Sequence, residues 1–118
     1  MEVYDQAHAL ARSLRNSQSF QRLLTAQKIL VQNPQKWERV QEVRKRQIEL
    51  AAKELSGKTI PPQTTEALEQ MMQALMVDEE IKEYLIAEER FGRQLADIQN
   101  ILAEAVKDLT LLKQDPDK

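Results

Sequence analysis

Residues 81–112 read IKEYLIAEERFGRQLADIQNILAEAVKDLTLL, and their spacing decides the fold class. Positions 81, 84, 88, 91, 95, 98, 102, 105, 109 and 112 alternate steps of three and four. They hold Ile81, Tyr84, Glu88, Phe91, Leu95, Ile98, Leu102, Ala105, Leu109 and Leu112. Apolar residues at this spacing line one side of an α-helix and form a coiled-coil seam, here about five heptads with one charged intruder, Glu88. Asp78 precedes the stretch as an N-cap, and Glu79 and Glu80 complement the positive end of the helix dipole. At 1.5 Å per residue the helix would be about 48 Å long.

The rest of the chain must supply what that seam packs against. Asn33-Pro34 is the clearest punctuation, a capping side chain followed by a residue suited to the first helical position. A helix from there to about residue 55 carries Trp37, Val40, Val43, Ile48, Ala51 and Leu55, interrupted at Arg44 and Gln47. It reaches only about 33 Å. Upstream, residues 2–15 place Tyr4, Ala7, Leu10, Ala11 and Leu14 at helical spacing. After a polar break at Asn16-Ser17-Gln18-Ser19, Phe20, Leu23, Leu24, Gln27, Leu30 and Val31 continue a second helix to about residue 32. Ser17 or Ser19 is its expected cap. The Ser56–Gln63 segment, with Gly57, Pro61 and Pro62, is the main loop. Thr64 or Thr65 is expected to cap a fourth helix bearing Leu68, Met71, Met72, Leu75 and Met76. An offset of 44 sets Trp37 against Ile81, Val40 against Tyr84 and Ala51 against Leu95, a faint internal repeat.

The expected fold is therefore all-α: four to five helices, with the third and fifth packed as a long antiparallel hairpin. A single domain is expected over residues 1–112, with 113–118 as a flexible tail. Composition agrees. The 118 residues are 42% apolar and 31% charged, with 2 Gly and 4 Pro, which leaves few turn residues for a sheet. Aromatics are 4%, so the core must be mostly aliphatic.

Chemistry is narrowed by what the chain lacks. With no Cys, disulfides, thiolate metal sites, iron–sulfur ligation and Cys nucleophiles are all excluded. The only histidine is His8, so two E-x-x-H motifs of a carboxylate-bridged metal site cannot arise within a chain. Asp5-x-x-His8 has ligand spacing, but His8 is expected at a surface. The serines sit where capping explains them, and no catalytic triad is expected. Glu79, Glu80, Glu83 and Glu89 read as a solvated face with helical neighbours such as Arg93. Glu88, on the seam, is expected to pair with Arg44 and to set register or partner choice. We expect no catalytic residue, no bound cofactor and no metal.

Net charge is −2 but uneven. Residues 1–55 hold ten Lys/Arg against six Asp/Glu, and residues 56–118 seven against thirteen. The two halves are expected to attract as they pack. The competing reading is a basic face for nucleic acid. Arg44-Lys45-Arg46 is the densest cluster, but consecutive helical residues point about 100° apart, so the three form no common patch. The N-terminus has no basic start with an apolar run, and no stretch approaches the roughly 18 apolar residues of a membrane span. The expected location is the cytoplasm.

The seam is longer than any other helix can cover, so self-association is expected, as a homodimer or a dimer of dimers. The residues expected at that or another interface are Glu88, Phe91, Gly92, Leu95, Ile98, Leu102 and Leu109.

The order of the pieces is similar to a known family. Tyr4-Asp5-x-Ala7-x-x-Leu10, Leu14-Arg15-x-Ser17-x-x-Phe20, the Asn33-Pro34 break, Gln47-x-x-Leu50, the Gly57 loop and Ala87-Glu88-Glu89-Arg90-Phe91-x-x-x-Leu95-Ala96-Asp97-Ile98 carry the likeness. The chain resembles the YlbF/YmcA/YheA family of small bacterial helical proteins, nearest its YheA branch, over about residues 3–112. The resemblance implies an all-helical, self-associating, non-catalytic protein. It also implies a link to RNA processing, since YlbF and YmcA act with a third protein to direct a ribonuclease to particular transcripts. YlbF has a Cys-rich tail associated with an iron–sulfur cluster, whereas this chain ends Lys113-Gln114-Asp115-Pro116-Asp117-Lys118. A cluster-dependent role does not carry over.

Overall fold

The computed structural model describes residues 2–109. They form five helices: α1 (Glu2–Arg15), α2 (Gln18–Val31), α3 (Pro34–Leu55), α4 (Pro62–Leu75) and α5 (Glu79–Ala105). There is no strand among the described residues.

Side-chain caps set three of the helix starts. The Ser17 hydroxyl accepts from the Phe20 N–H at 3.2 Å, Asn33 Oδ1 from Lys36 N–H at 3.3 Å, and Asp78 Oδ1 from Ile81 N–H at 3.1 Å. Each satisfies one of the amides a helix leaves open at its first turn. α4 starts differently from expectation. Neither Thr64 nor Thr65 caps it; Pro61 stands at the cap and Pro62 at the first helical position. Pro62 fixes a helical φ and lacks the N–H that would need a partner, so the helix begins earlier and no cap is required. Gly57, at φ +79°, ends α3. Its N–H reaches the Glu54 carbonyl and that of Lys58 the Lys53 carbonyl, the paired closure that a left-handed residue makes possible.

The pairing of helices corrects the expected hairpin. The antiparallel partner of α5 is α2, not α3. Ser19 meets Gln94, Phe20 meets Phe91, and Arg22 meets Glu83, so one helix ascends as the other descends. α3 lies beside only the first half of α5 and runs in the same sense, through Lys36–Glu80, Trp37–Tyr84 and Arg44–Glu88. Val43 is the last buried residue that α3 contributes. α4 packs back along α3, with Gln47 reaching the Met72 sulfur.

The internal repeat is visible in this arrangement. Leu23, Ala26 and Leu30 of α2 have counterparts in Leu68, Met71 and Leu75 of α4, at an offset of 45 in place of the 44 that relates the long helices. Trp37, Val40 and Val43 of α3 match Ile81, Tyr84 and Ala87 of α5. Each short helix packs on the other unit's long helix. Equivalent residues of the long helices meet as opposite charges, Lys36 with Glu80 and Arg44 with Glu88. The uneven charge of the two halves is thus matched internally at these pairs. The similarity lapses beyond them: Ala51 is exposed where Leu95 is half-buried.

The core lies where the two units cross. Leu30 and Ile81 are fully buried, joined by Ala26, Val40, Val43, Leu75, Tyr84 and Ala87. The molecule is flat, with extents of 50 × 41 × 17 Å. Its radius of gyration is 18.6 Å, against about 13.5 Å for a compact chain of this length.

α5 is also shorter than its seam. It ends at Ala105, with turns over residues 106–108. Val106 and Asp108 are weak helix formers, and tertiary packing is what usually holds such a stretch helical. Leu112 and the tail 113–118 lie outside the described residues.

Candidate interaction surface

Burial falls along the seam from the start of α5 toward its end and the turns beyond it. Ile81 and Tyr84 are core, Glu88, Phe91, Leu95 and Ile98 are half-buried, and Leu102 and Leu109 are 56% and 52% exposed. The residues expected at an interface therefore divide.

Glu88 is engaged within the chain. Arg44 Nη2 donates to its Oε1 at 2.5 Å and the Tyr84 hydroxyl to its Oε2 at 2.9 Å. Burial works against the Arg44 charge, but Tyr84 and the Glu88 carboxylate outweigh it and hold the guanidinium above its ordinary pKa. Burial, with help from that carboxylate, raises Tyr84. The Arg44–Glu88 pair expected from the interrupted faces is present. Phe91 is also engaged, edge-to-face on Phe20 at 5.5 Å between centroids. A Cβ on Gly92 would meet nothing within 4 Å, so no close approach within the chain explains that glycine.

Leu95, Ile98 and Leu102 continue past the end of α2's cover, and α1 comes beside them. α1 is tied to α2 by its C-terminal end: the Ser17 hydroxyl donates to the Leu14 carbonyl at 2.7 Å, and Gln21 Nε2 to that of Arg15 at 2.7 Å. It contributes no buried residue. Instead of closing the seam, α1 leaves an open groove of about 590 Å³ walled by Val3, Ala7, Leu10 and Leu14 on its side and Ile98 and Leu102 on α5. Gln6 is the polar side chain in its lining. The part α1's face plays was underread from sequence. Val3, Ala7, Leu10 and Leu14 are themselves spaced four, three and four, a two-heptad seam too short to stand out.

The basic cluster of α3 is dispersed. Arg44 is held by Glu88 and Arg46 by Glu42, while Lys45 is exposed. Arg93 pairs with Glu89 along α5. Among the described residues no group of His, Asp and Glu is placed to hold a metal ion, and His8 is exposed. Among the described residues, no helix is long and apolar enough to cross a membrane.

These features define a small all-helical protein of two interlocked helical units with an apolar face left open at one end. Residues 3–107 match the family described as control of competence regulator ComK, YlbF/YmcA, and the chain belongs to that family. Its relatives include a UPF0342 protein of Symbiobacterium thermophilum, 38% identical over 88% of this chain and 93% of that one. Another, from Caldicellulosiruptor saccharolyticus, is 35% identical over 88% of this chain and 87% of its own. The fold is shared with a protein of unknown function (DUF964) from Bacillus stearothermophilus. That chain superposes at a TM-score of 0.76 over 95% of this chain and 98% of its own, at 21% identity.

Proposed function

We propose that this protein is a non-catalytic adaptor of the cytoplasm, which acts by docking helical surfaces and self-associates as a homodimer or a dimer of dimers. The observation that carries this reading is the open groove between α1 and α5, apolar side chains held in line at helical spacing and left in water. Exposed patches of this kind mark interaction sites. A small-molecule site would need convergent polar groups to orient its ligand, and Gln6 alone does not supply them. Membership of a family named for control of a competence regulator supports a regulatory role. Its finer form is a part in RNA processing, through a complex that contains a nuclease.

The test is chemical cross-linking in the native cell followed by affinity capture, run beside a gel shift with RNA. The reading predicts specific cross-links to protein from the α1 and α5 faces, and no tight RNA complex. RNA binding that weakens steeply as salt is added would instead make the protein a direct nucleic-acid binder.

A further inference from the structure

We infer that a notch between α2 and the middle of α5 docks an acidic side chain of a partner protein, carried on a helix that lies along α2. This surface is separate from the α1–α5 groove and does not depend on self-association. The notch encloses about 120 Å³. Ile86 and Ala87 line it, and Ser19, Arg22 and Arg90 bring polar groups to it. Pockets for small molecules start at about 300 Å³, so this one suits a single side-chain head group.

The internal repeat supplies a comparison within the molecule. At the offsets that relate the two units, Gln18, Ser19, Arg22 and Arg90 correspond to Gln63, Thr64, Ala67 and Arg46. Those four line the equivalent notch between α4 and α3. There Arg46 is neutralised by Glu42, one turn before it. The counterpart of Glu42 is Ile86, so Arg90 has no such acceptor, and it makes no ion pair among the described residues. Where the other notch has Ala67, this one has a second guanidinium, Arg22. It reaches Glu83 at 3.4 Å, a loose contact between half-exposed groups that leaves most of its donors open. Two arginines against Glu83 leave the notch positive. A carboxylate can take paired N–H donors from a guanidinium, which suits arginine to the task.

The surroundings select the occupant. Past Arg22 the notch opens into a groove of about 320 Å³ along α2, where Thr25, Ala26 and Ile29 replace charge. Ile29 is 46% exposed. Nucleic acid would need a row of cations, and the groove has none beyond Arg22. Glu83, on the rim of both, repels a doubly charged phosphate more than a carboxylate. From Ser19 to Ile29 is about 15 Å along α2, so the fitting partner helix carries an acidic residue and, about three turns on, an apolar one.

The experiment is a titration of the isotope-labelled full chain, read by amide NMR shifts. The probe is a blocked alanine-rich helical peptide with a glutamate and, about three turns on, a leucine. Shifts are expected over residues 18–29 and 83–90, the two sides of the notch and its groove. Affinity should fall roughly tenfold in Arg90→Gln, and as much when the peptide's glutamate becomes glutamine. Arg46→Gln, the equivalent change in the other notch, should leave affinity unchanged, as should Leu102→Glu in the α1–α5 groove. Arg46, Arg90 and Leu102 are exposed, so these variants are expected to keep their helix content, which circular dichroism checks. Equal binding of the glutamine peptide, shifts elsewhere, or no shifts at millimolar peptide would overturn the inference and leave the α1–α5 groove untouched. An RNA octanucleotide or inorganic phosphate that gives the same shifts at lower concentration would also overturn it, and would assign the notch to phosphate. A smaller sedimenting species for Arg90→Gln than for the wild type would assign it to a second copy instead.

Discussion

Glu88 stands where a coiled-coil seam calls for an apolar side chain, and its surroundings explain why it is tolerated there. Arg44 and the Tyr84 hydroxyl both donate to it. Removing the carboxylate with Glu88→Ala would leave those donors without their acceptor. Because the groups are about one-third exposed, water makes up part of the loss, and we expect a cost of about 1 kcal/mol in denaturant unfolding. The caps make a parallel case. Asn33→Ala should cost about 1 kcal/mol and Asn33→Asp much less, since aspartate caps equally well. Asp78 adds a pH signature. The Ile81 N–H first, and Lys36 next, hold its carboxyl below the ordinary value of 3.8. Its contribution is therefore fully present above that pH and is lost as pH falls through the folded-state pKa. Thermal melts of Asp78→Asn should show less acid sensitivity below about pH 3.8 than the wild type.

Stability is uneven among the helices, and single substitutions should reveal it. Leu30, fully buried at the crossing of the units, should cost about 2–5 kcal/mol on truncation to Ala. Leu102→Ala, measured where the chain is monomeric, should stay within about 0.5 kcal/mol. Gly92 lies mid-helix with open space around its Cα, so Gly92→Ala should stabilise by roughly 1 kcal/mol. The existence of each helix, and the boundaries at Ser17, Asn33-Pro34, Gly57 and Asp78, were legible in the sequence because those signals act within a turn or two; the start of α4 and the end of α5 were not. Partner choice was not. The α3 and α5 seams looked like mates by length and charge, and Arg44–Glu88 does join them, yet α2 took the long antiparallel contact. Which of two apolar faces wins depends on how the tight turns at Asn33 and Asp78 aim the helices, and periodicity carries no trace of that. The C-terminal end of α5 was overread for a related reason. Continuity of a seam says which side would pack, not whether a neighbour is there to pack it.

As a whole the molecule is two crossed helical units that share a small core, from which α1 and the distal half of α5 project with their apolar sides exposed. A stable chain holds only about 5–15 kcal/mol in reserve, and a side chain such as Leu102 gains roughly 1.5–3 kcal/mol on full burial. Leaving that face wet is therefore a considerable sacrifice, and the account holds that a second helical surface removes it. Amide hydrogen exchange at two protein concentrations tests this directly. Protection in α1 and over residues 95–105 should rise from dilute to concentrated solution, while the Leu30 and Ile81 turns stay unchanged. Equal protection of α1 and residues 95–105 at both concentrations, in a chain that is monomeric throughout, would contradict it.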